Sequence, residues 1–374
     1  LSHPRAGTAV LRRVAPACLN LQVAAGAGSR VAFGAVAEPR SALGTSKEDI
    51  MRYRTLLAVA AAGLLSHVGT ATAQPIAIAT PKAGSIYNST AAAIGKVLSE
   101  KAGLNLTIQA MGGSSQYLPI IDAGEIPFGI ANVYETSLGV TGEDYFKGRP
   151  TKNVRSVAIL YPLRHTTFVR KDSTYKTLAD LKGARAPVGF ASQKILTAVT
   201  NASFATVGLS LEKDFKGVNT ANIISQANLF KEGRTDFFVF ALGAGKIKEV
   251  DAAVGGVRAL GVPNTKQALD AARKVVPVVY LRKEEPSKAN TGVLEPVHLI
   301  SYGVNLFAST KTPDDVVYKV TKALHAHAKE MGAIFPPLRL LEQNAMAQPI
   351  HGVDYHPGAV KFYKEIGQWP PKML

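Results

Sequence analysis

From residue 74 onward, short apolar runs alternate with stretches whose apolar positions recur at helical spacing, the rhythm of an α/β architecture. Ile76 to Ala79 is predicted as a strand, Pro81 to Tyr87 as a glycine-containing loop, and Ser89 or Thr90 as the cap of the next helix. Ile94, Val97 and Leu98 give that helix one apolar stripe, and Gly103 ends it. A second strand, Leu104 to Ala110, runs into Gly112-Gly113-Ser114-Ser115 and a helix carrying Leu118 and Ile121 that stops at Gly124. A third strand, Pro127 to Ala131, delivers Asn132 and Tyr134 to its carboxyl end.

A second cluster of elements begins after Tyr161-Pro162, with Phe168 to Arg170 strand-like. Thr177 and Asp180 form a capping-box pair for a short helix, Leu178 to Lys182, closed by Gly183. Ala186 to Gly189 is the next strand, and Ser192 is placed to cap the long helix up to Gly208. Ile224 to Lys231 reads as helix, Asp236 to Phe240 as strand, and Gln267 to Val275 as helix. Val297 to Ala308 is a long strand, and Thr312-Pro313-Asp314-Asp315 opens a helix with Pro313 in its first turn and Val317, Val320 and Leu324 on its buried face. No internal repeat or low-complexity linker separates the clusters. That favours two lobes joined by crossing strands, with residues 74–163 and 298–374 in lobe 1 and 164–297 in lobe 2.

Composition changes the picture mainly at the N-terminus. Residues 1–50 lack sustained apolar periodicity and read as non-native or upstream leader sequence. Met51 then opens a secretory signal over 51–73: Arg52 and Arg54, an apolar run Leu56 to Leu65, and Ala71-Thr72-Ala73 as an A-x-A site with cleavage after Ala73. The run is far shorter than the roughly 20 apolar residues of a membrane span. The expected product is a soluble protein exported to the periplasm. Cys18 is the only cysteine and lies in the leader. Disulfides, thiolate catalysis, zinc–thiolate sites and a lipoprotein anchor are therefore excluded for residues 74–374.

Without residues 1–73 the net charge falls from +16 to +11, with 35 basic against 24 acidic side chains. Such a surplus raises the local concentration of anions. The bases are scattered, and no RNP, helix-turn-helix or zinc pattern accompanies them, so nucleic acid is not an expected partner.

In open α/β sheets, ligands bind outside the carboxyl ends of the strands. Four such ends here are rich in small or hydrogen-bonding residues: Gly84-Ser85-Ile86-Tyr87, Gly112-Gly113-Ser114-Ser115, Asn132-Val133-Tyr134 and Ala191-Ser192-Gln193-Lys194. Glycines let backbone come close, and N–H groups at a helix start favour a carboxylate or phosphate. The candidate ligand set is Gly84, Ser85, Tyr87, Gly112, Gly113, Ser114, Ser115, Asn132, Tyr134, Ser192, Gln193, Lys194, Phe240 and, at the predicted first crossing between lobes, Arg164. Each loop alone is ordinary turn chemistry; their joint occurrence is the signal.

Catalytic readings fare poorly. The chain has no G-x-S-x-G elbow and no H-E-x-x-H. His325 and His327 are two apart on a helix and point to different faces. Gly243-Ala244-Gly245-Lys246 resembles a phosphate loop, but Phe240 stands in place of its first glycine and Ile247 in place of its Ser or Thr, so it reads as a turn. No cofactor, no metal and no enzymatic activity are expected.

Over residues 74–367 the chain resembles the TAXI solute-binding proteins of TRAP transporters. The landmarks run in order: Gly84-Ser85-Ile86-Tyr87, Gln109-Ala110-Met111-Gly112-Gly113-Ser114, Ala123-Gly124-Glu125, Val169-Arg170-Lys171-Asp172-Ser173, Leu178-Ala179-Asp180-Leu181-Lys182-Gly183, Pro313-Asp314-Asp315-Val316-Val317-Tyr318 and His356-Pro357-Gly358-Ala359. The resemblance implies a two-lobed α/β, type II periplasmic-binding (Venus-flytrap) fold that closes on a small organic acid. It also implies delivery of that solute by a monomer to TRAP membrane permease subunits. The family commonly has a Gly-Ser-Gly-Thr type loop where this chain has Ala191-Ser192-Gln193-Lys194. Gln193 or Lys194 is then expected to replace part of a backbone contact to the ligand, with a solvated Lys194 as the other reading. His-Pro-Gly-Ala is expected to fix the C-terminal segment structurally. Rivals are the binding subunit of an ABC importer or a sensor-kinase input, and, from another class, a periplasmic enzyme.

Overall fold

A computed structural model describes residues 76–372; the leader and signal segments expected above lie outside the described residues. The chain alternates strands and helices: β1 (Ile76–Pro81), α1 (Ile86–Ala102), β2 (Leu106–Met111), α2 (Ser114–Asp122), β3 (Phe128–Asn132), α3 (Val133–Thr141) and the long β4 (Val154–Arg170). It continues through β5 (Arg185–Gly189), α4 (Ile195–Ala205), α5 (Leu211–Asp214), β6 (Lys216–Thr220), α6 (Ile223–Lys231), β7 (Phe238–Ala241), α7 (Gly245–Val254), β8 (Val257–Leu260), α8 (Lys266–Val275) and β9 (Tyr280–Glu284). The second long strand, β10 (Val297–Ser309), leads to α9 (Asp314–Ala326), α10 (Ala328–Ile334) and α11 (Pro357–Glu365). Among the described residues no helix is long and apolar enough to cross a membrane.

β4 and β10 organise the fold. They pair antiparallel from Val154↔Ser309 to His165↔Ile300. Beyond that ladder each strand takes different neighbours at its two ends. The C-terminal half of β10 pairs with β3, which continues into the parallel strands β1 and β2. The last residues of β4 pair with β7 and β8, and the start of β10 pairs with β9. The parallel pair β5–β6 forms its own small sheet. The result is a two-lobed α/β fold in which β4 and β10 pass from one lobe into the other. The sequence suggested a break at Pro162, but β4 runs through it. Pro162 lies opposite Gly303, and register shifts at Val304/Asn305 and Leu306/Phe307 absorb the irregularity. A proline cannot donate to the ladder, and a bulge is where a sheet tolerates one. The strand-like segment Phe168 to Arg170 is thus the tail of β4.

Several helix starts differ from expectation for local reasons. α1 begins a turn earlier than Ser89 or Thr90 would place it, because Ser85 is extended (φ −72°, ψ 154°) and its Oγ accepts the Asn88 N–H at 3.2 Å. Thr90 instead bonds back to Ile86 O and shares a 2.6 Å hydrogen bond with the Tyr161 hydroxyl. Ser192 does not cap α4; its hydroxyl donates to Ala221 O at 2.9 Å, and the helix starts at Ile195 without a side-chain cap. Thr177 and Asp180 do bond each other's backbone, but the element they open is a single 3₁₀ turn, Ala179–Leu181. Pro313 is itself the N-cap of α9, while the Thr312 hydroxyl donates to Pro127 O.

Each lobe has an aromatic centre. In the second, Phe238 stacks on Phe168 at 5.1 Å and packs against Phe230 at 4.8 Å, while Phe204, Phe215 and Phe237 cluster beside them. In the first, the Tyr363 hydroxyl of α11 donates to Val157 O of β4 at 2.8 Å, and the buried His356 caps that helix through Nδ1. The His-Pro-Gly-Ala segment thus pins the C-terminal helix to the crossing strand. Phe238 is fully buried among three rings. Replacing it with alanine is expected to cost about 3–5 kcal/mol, read as a lower urea midpoint with an unchanged slope.

Candidate functional site

Where β4 crosses between lobes, strand ends and helix starts from both sides surround a partly open cavity of about 40 Å³. Its wall is mostly apolar: Pro81, Ile86, Leu163, Ile195, Leu196, Ile223, Phe240 and Ala241. The polar members are Ser85, Tyr87, Asn132, His165, Gln193 and Tyr302.

The N-termini of four helices contribute to this wall. Ser85, Ile86 and Tyr87 belong to the start of α1, Asn132 caps α3, Ile195 and Leu196 open α4, and Ile223 opens α6. Each helix start carries a partial positive charge and N–H groups without an intrahelical acceptor. Asn132 accepts the Glu135 N–H through Oδ1 at 2.7 Å, and Gln193 accepts the Ile223 N–H through Oε1 at 3.3 Å. These bonds assign the oxygen of each amide, so its NH₂ end remains.

The two lobes meet beside the cavity. A Cβ placed on Gly113 would lie 2.2 Å from Ser192 O, so only glycine allows the two backbones to come so close. Next to it the Lys194 N–H donates to Ser115 Oγ at 3.1 Å. Ser115 in turn donates to Glu135 Oε1 at 2.9 Å, as does the Tyr145 hydroxyl, and Ser114 bonds the other carboxylate oxygen. Burial raises the Glu135 pKa, and these three hydroxyls oppose the shift by stabilising the carboxylate. Lys194 Nζ lies 5.7 Å over the Tyr145 ring.

The sequence candidates therefore separate. Ser85, Tyr87, Asn132, Gln193 and Phe240 come together on the cavity wall. Gly84, with φ +89°, sits at its edge, where its carbonyl accepts the Lys246 N–H at 3.4 Å. Gly112, Gly113 and Ser192 form the contact between lobes, Ser114 and Ser115 hold Glu135, and Lys194 faces Tyr145. The half-buried Tyr134 lies next to Val133 at the start of α3 but does not line the cavity. Arg164 does not line it either. On a strand, neighbours of Leu163 and His165 point to the opposite face, and there Arg164 forms a buried ion pair with Glu284 at 2.9 Å and donates to Leu242 O at 3.1 Å.

Sequence reasoning missed Tyr302 and the apolar wall apart from Ile86 and Phe240, and it noticed His165 beside Arg164 at the predicted crossing without assigning it to the site. The alternation of Leu163 and His165 across β4 was the available signal, hidden by reading Pro162 as a boundary. His165 is fully buried, 3.4 Å from Thr200 Oγ1, and burial lowers its pKa to about 4, so it is neutral at pH 7. Among the described residues, no group of three or more His, Cys, Asp or Glu is placed to hold a metal.

A sheet crossed twice by long strands, with a cleft walled by helix N-termini, defines the periplasmic-binding-protein fold. A solved structure described as a periplasmic transporter shares it at a TM-score of 0.51 and 16% identity, covering 80% of this chain and 95% of that one. The periplasmic binding protein BugD shares it at a TM-score of 0.51 and 12% identity, covering 79% and 95%. Residues 78–367 match the NMT1-like family, and the chain belongs to that family.

Gly113→Ala is expected to hold the lobes apart, seen by small-angle scattering as failure to reach the closed radius of gyration. Because the folded-state pKa of His165 lies below its unfolded value near 6.5, its contribution to stability is present above that pH and lost as pH falls toward about 4. The loss should be on the order of 3 kcal/mol. The raised pKa of Glu135 acts with the opposite sign, acidification relieving its burial. Subtracting the stability–pH curve of His165→Gln from that of the wild type should isolate the histidine term.

Proposed function

We propose that the protein is the exported solute-binding subunit of a TRAP-type transporter of the TAXI branch. It captures a small organic anion, a carboxylate, in the periplasm and passes it as a monomer to membrane permease subunits. Its work is capture and closure, with no covalent chemistry. In this reading residues 74–163 and 298–374 form one lobe and 164–297 the other, and cleavage after Ala73 releases the mature chain.

The observation that carries the reading is the meeting of four helix N-termini on one cavity walled from both lobes. Each such terminus favours a nearby anion by about 0.3–1 kcal/mol, and by up to about 2 kcal/mol when partly buried. A ligand touching Asn132 on one side and Gln193 on the other is bound fully only when the lobes are closed. Binding and closure are then one event. The periplasmic description of BugD supports export, and the ordered landmarks of the sequence support the TAXI assignment.

A thermal-shift screen of the full chain against organic acids, sugars, amino acids and cations tests this. A ligand at about 100 times its dissociation constant adds about 2.7 kcal/mol to the folded state. At least one organic acid is expected to raise the melting temperature while sugars do not. A response confined to sugars or cations would refute the anion reading. Uptake of the active acid that depends on ATP rather than an ion gradient would move the protein to an ABC importer.

A further inference from the structure

The cavity carries a charge inventory that narrows its ligand. None of its lining residues bears a formal charge at neutral pH, since His165 is neutral. No cation lines the cavity, and those beside it are turned elsewhere: Lys194, between the lining residues Gln193 and Ile195, sets its Nζ 5.7 Å over the Tyr145 ring. Arg164 is held by Glu284 on the far face of β4, and Lys246, beside Gly84, bonds both carboxylate oxygens of Glu249 at 2.7 and 2.9 Å.

The acids are committed as well. Glu284 holds Arg164 and Arg282, and Glu135 is closed behind Ser114, Ser115 and Tyr145. Glu135 is still near enough to the cavity for its charge to oppose ionisation of Tyr87 and Tyr302. A carboxylate there limits how much further negative charge the site tolerates.

What the wall offers is neutral: two amide NH₂ donors, with hydroxyls and an imidazole that can donate or accept. The Asn132 and Gln193 amides have their oxygens bonded to backbone N–H groups, leaving Nδ2 and Nε2. Among the described residues these NH₂ groups, and the Tyr87 and Tyr302 hydroxyls, have no hydrogen-bond partner, although all four side chains are more than nine-tenths buried. These groups face the cavity, where a ligand that supplies an acceptor gains their hydrogen bonds. The rest of the wall, with Leu163, Leu196, Ile223 and Phe240, suits a hydrocarbon body.

We infer that the ligand is a small monocarboxylic acid with an apolar chain or ring, its single carboxylate taken by Asn132 Nδ2, Gln193 Nε2 and the two tyrosine hydroxyls. This rests on the organic-acid reading above and narrows it. A dicarboxylate would bury a second charge against a wall that holds no cation, and an amino acid would bury an ammonium with no free carboxylate.

Isothermal titration of the full chain at pH 7.5 with benzoate, 3-methylbutanoate, hexanoate, glutarate, glutamate, leucine and benzamide tests the inference. At least one monocarboxylate is expected to bind about tenfold or more tighter than glutarate, glutamate, leucine and benzamide. Glutarate, glutamate or leucine binding tighter than every monocarboxylate would overturn the inference and leave organic-acid capture standing. Equal binding of benzamide and benzoate would overturn the need for a charge. No binding by any acid would remove both readings.

Gln193→Glu keeps the acceptor for the Ile223 N–H but replaces the donor with an anion. It should weaken the preferred monocarboxylate about tenfold or more in a variant shown by circular dichroism to be folded, and unchanged affinity would overturn the assignment of Gln193. Asn132→Asp, which keeps the cap of α3, gives the same reading on the other lobe.

Discussion

The antiparallel ladder between β4 and β10 is the constraint on which the other features depend. It connects the parallel strands of one lobe to β7, β8 and β9 of the other, so the placement of every strand end around the cavity is set by the register of these two strands. One-residue slippage would exchange the faces of β4. Leu163 and His165 would leave the cavity and Arg164 would enter it, turning a neutral site into a cationic one. The register therefore determines the electrostatics of the cleft as well as its shape.

The buried polar groups are coherent with that register. Arg164 is satisfied on the outer face by Glu284 and a backbone carbonyl, and Glu135 by three hydroxyls from α2 and the segment after α3. Both charges lie close to the cleft, and both are neutralised or hydrogen-bonded before any ligand arrives. What remains to face the cavity is a set of neutral polar groups. This arrangement separates the charges that hold the fold together from the groups that meet a solute.

Much of the fold was legible in the sequence because its signals are local. Apolar periodicity, glycine stops and strand-end loops placed most elements, and the landmark loops pointed to the cleft. Ser85, Tyr87, Asn132, Gln193 and Phe240 were singled out because they lie beside recognisable helix starts or strand ends. The rest of the apolar wall and Tyr302 were not, since an apolar residue in a strand carries no mark of which face it presents. Pro162 reads as punctuation on its own, and only the opposing Gly303 and the nearby bulges make it compatible with a continuous strand. Arg164 looked like an anion partner because its own partner, Glu284, is 120 residues away in the chain. The lobe contact at Gly113 was visible as a glycine, but its role depends on a backbone brought there by another lobe.

That contact also acts as an end-stop. Under the closure proposed above, the contact of Gly113 with Ser192 would stop the lobes and set a minimum chamber size that does not depend on its contents. A solute too bulky for the chamber halts the lobes before they seat. One too slight leaves the lobes seated around unfilled space, losing the contacts that would have held it. In that reading the chamber would gauge its solute from both directions, with the upper limit enforced at a pair of backbones the solute never reaches.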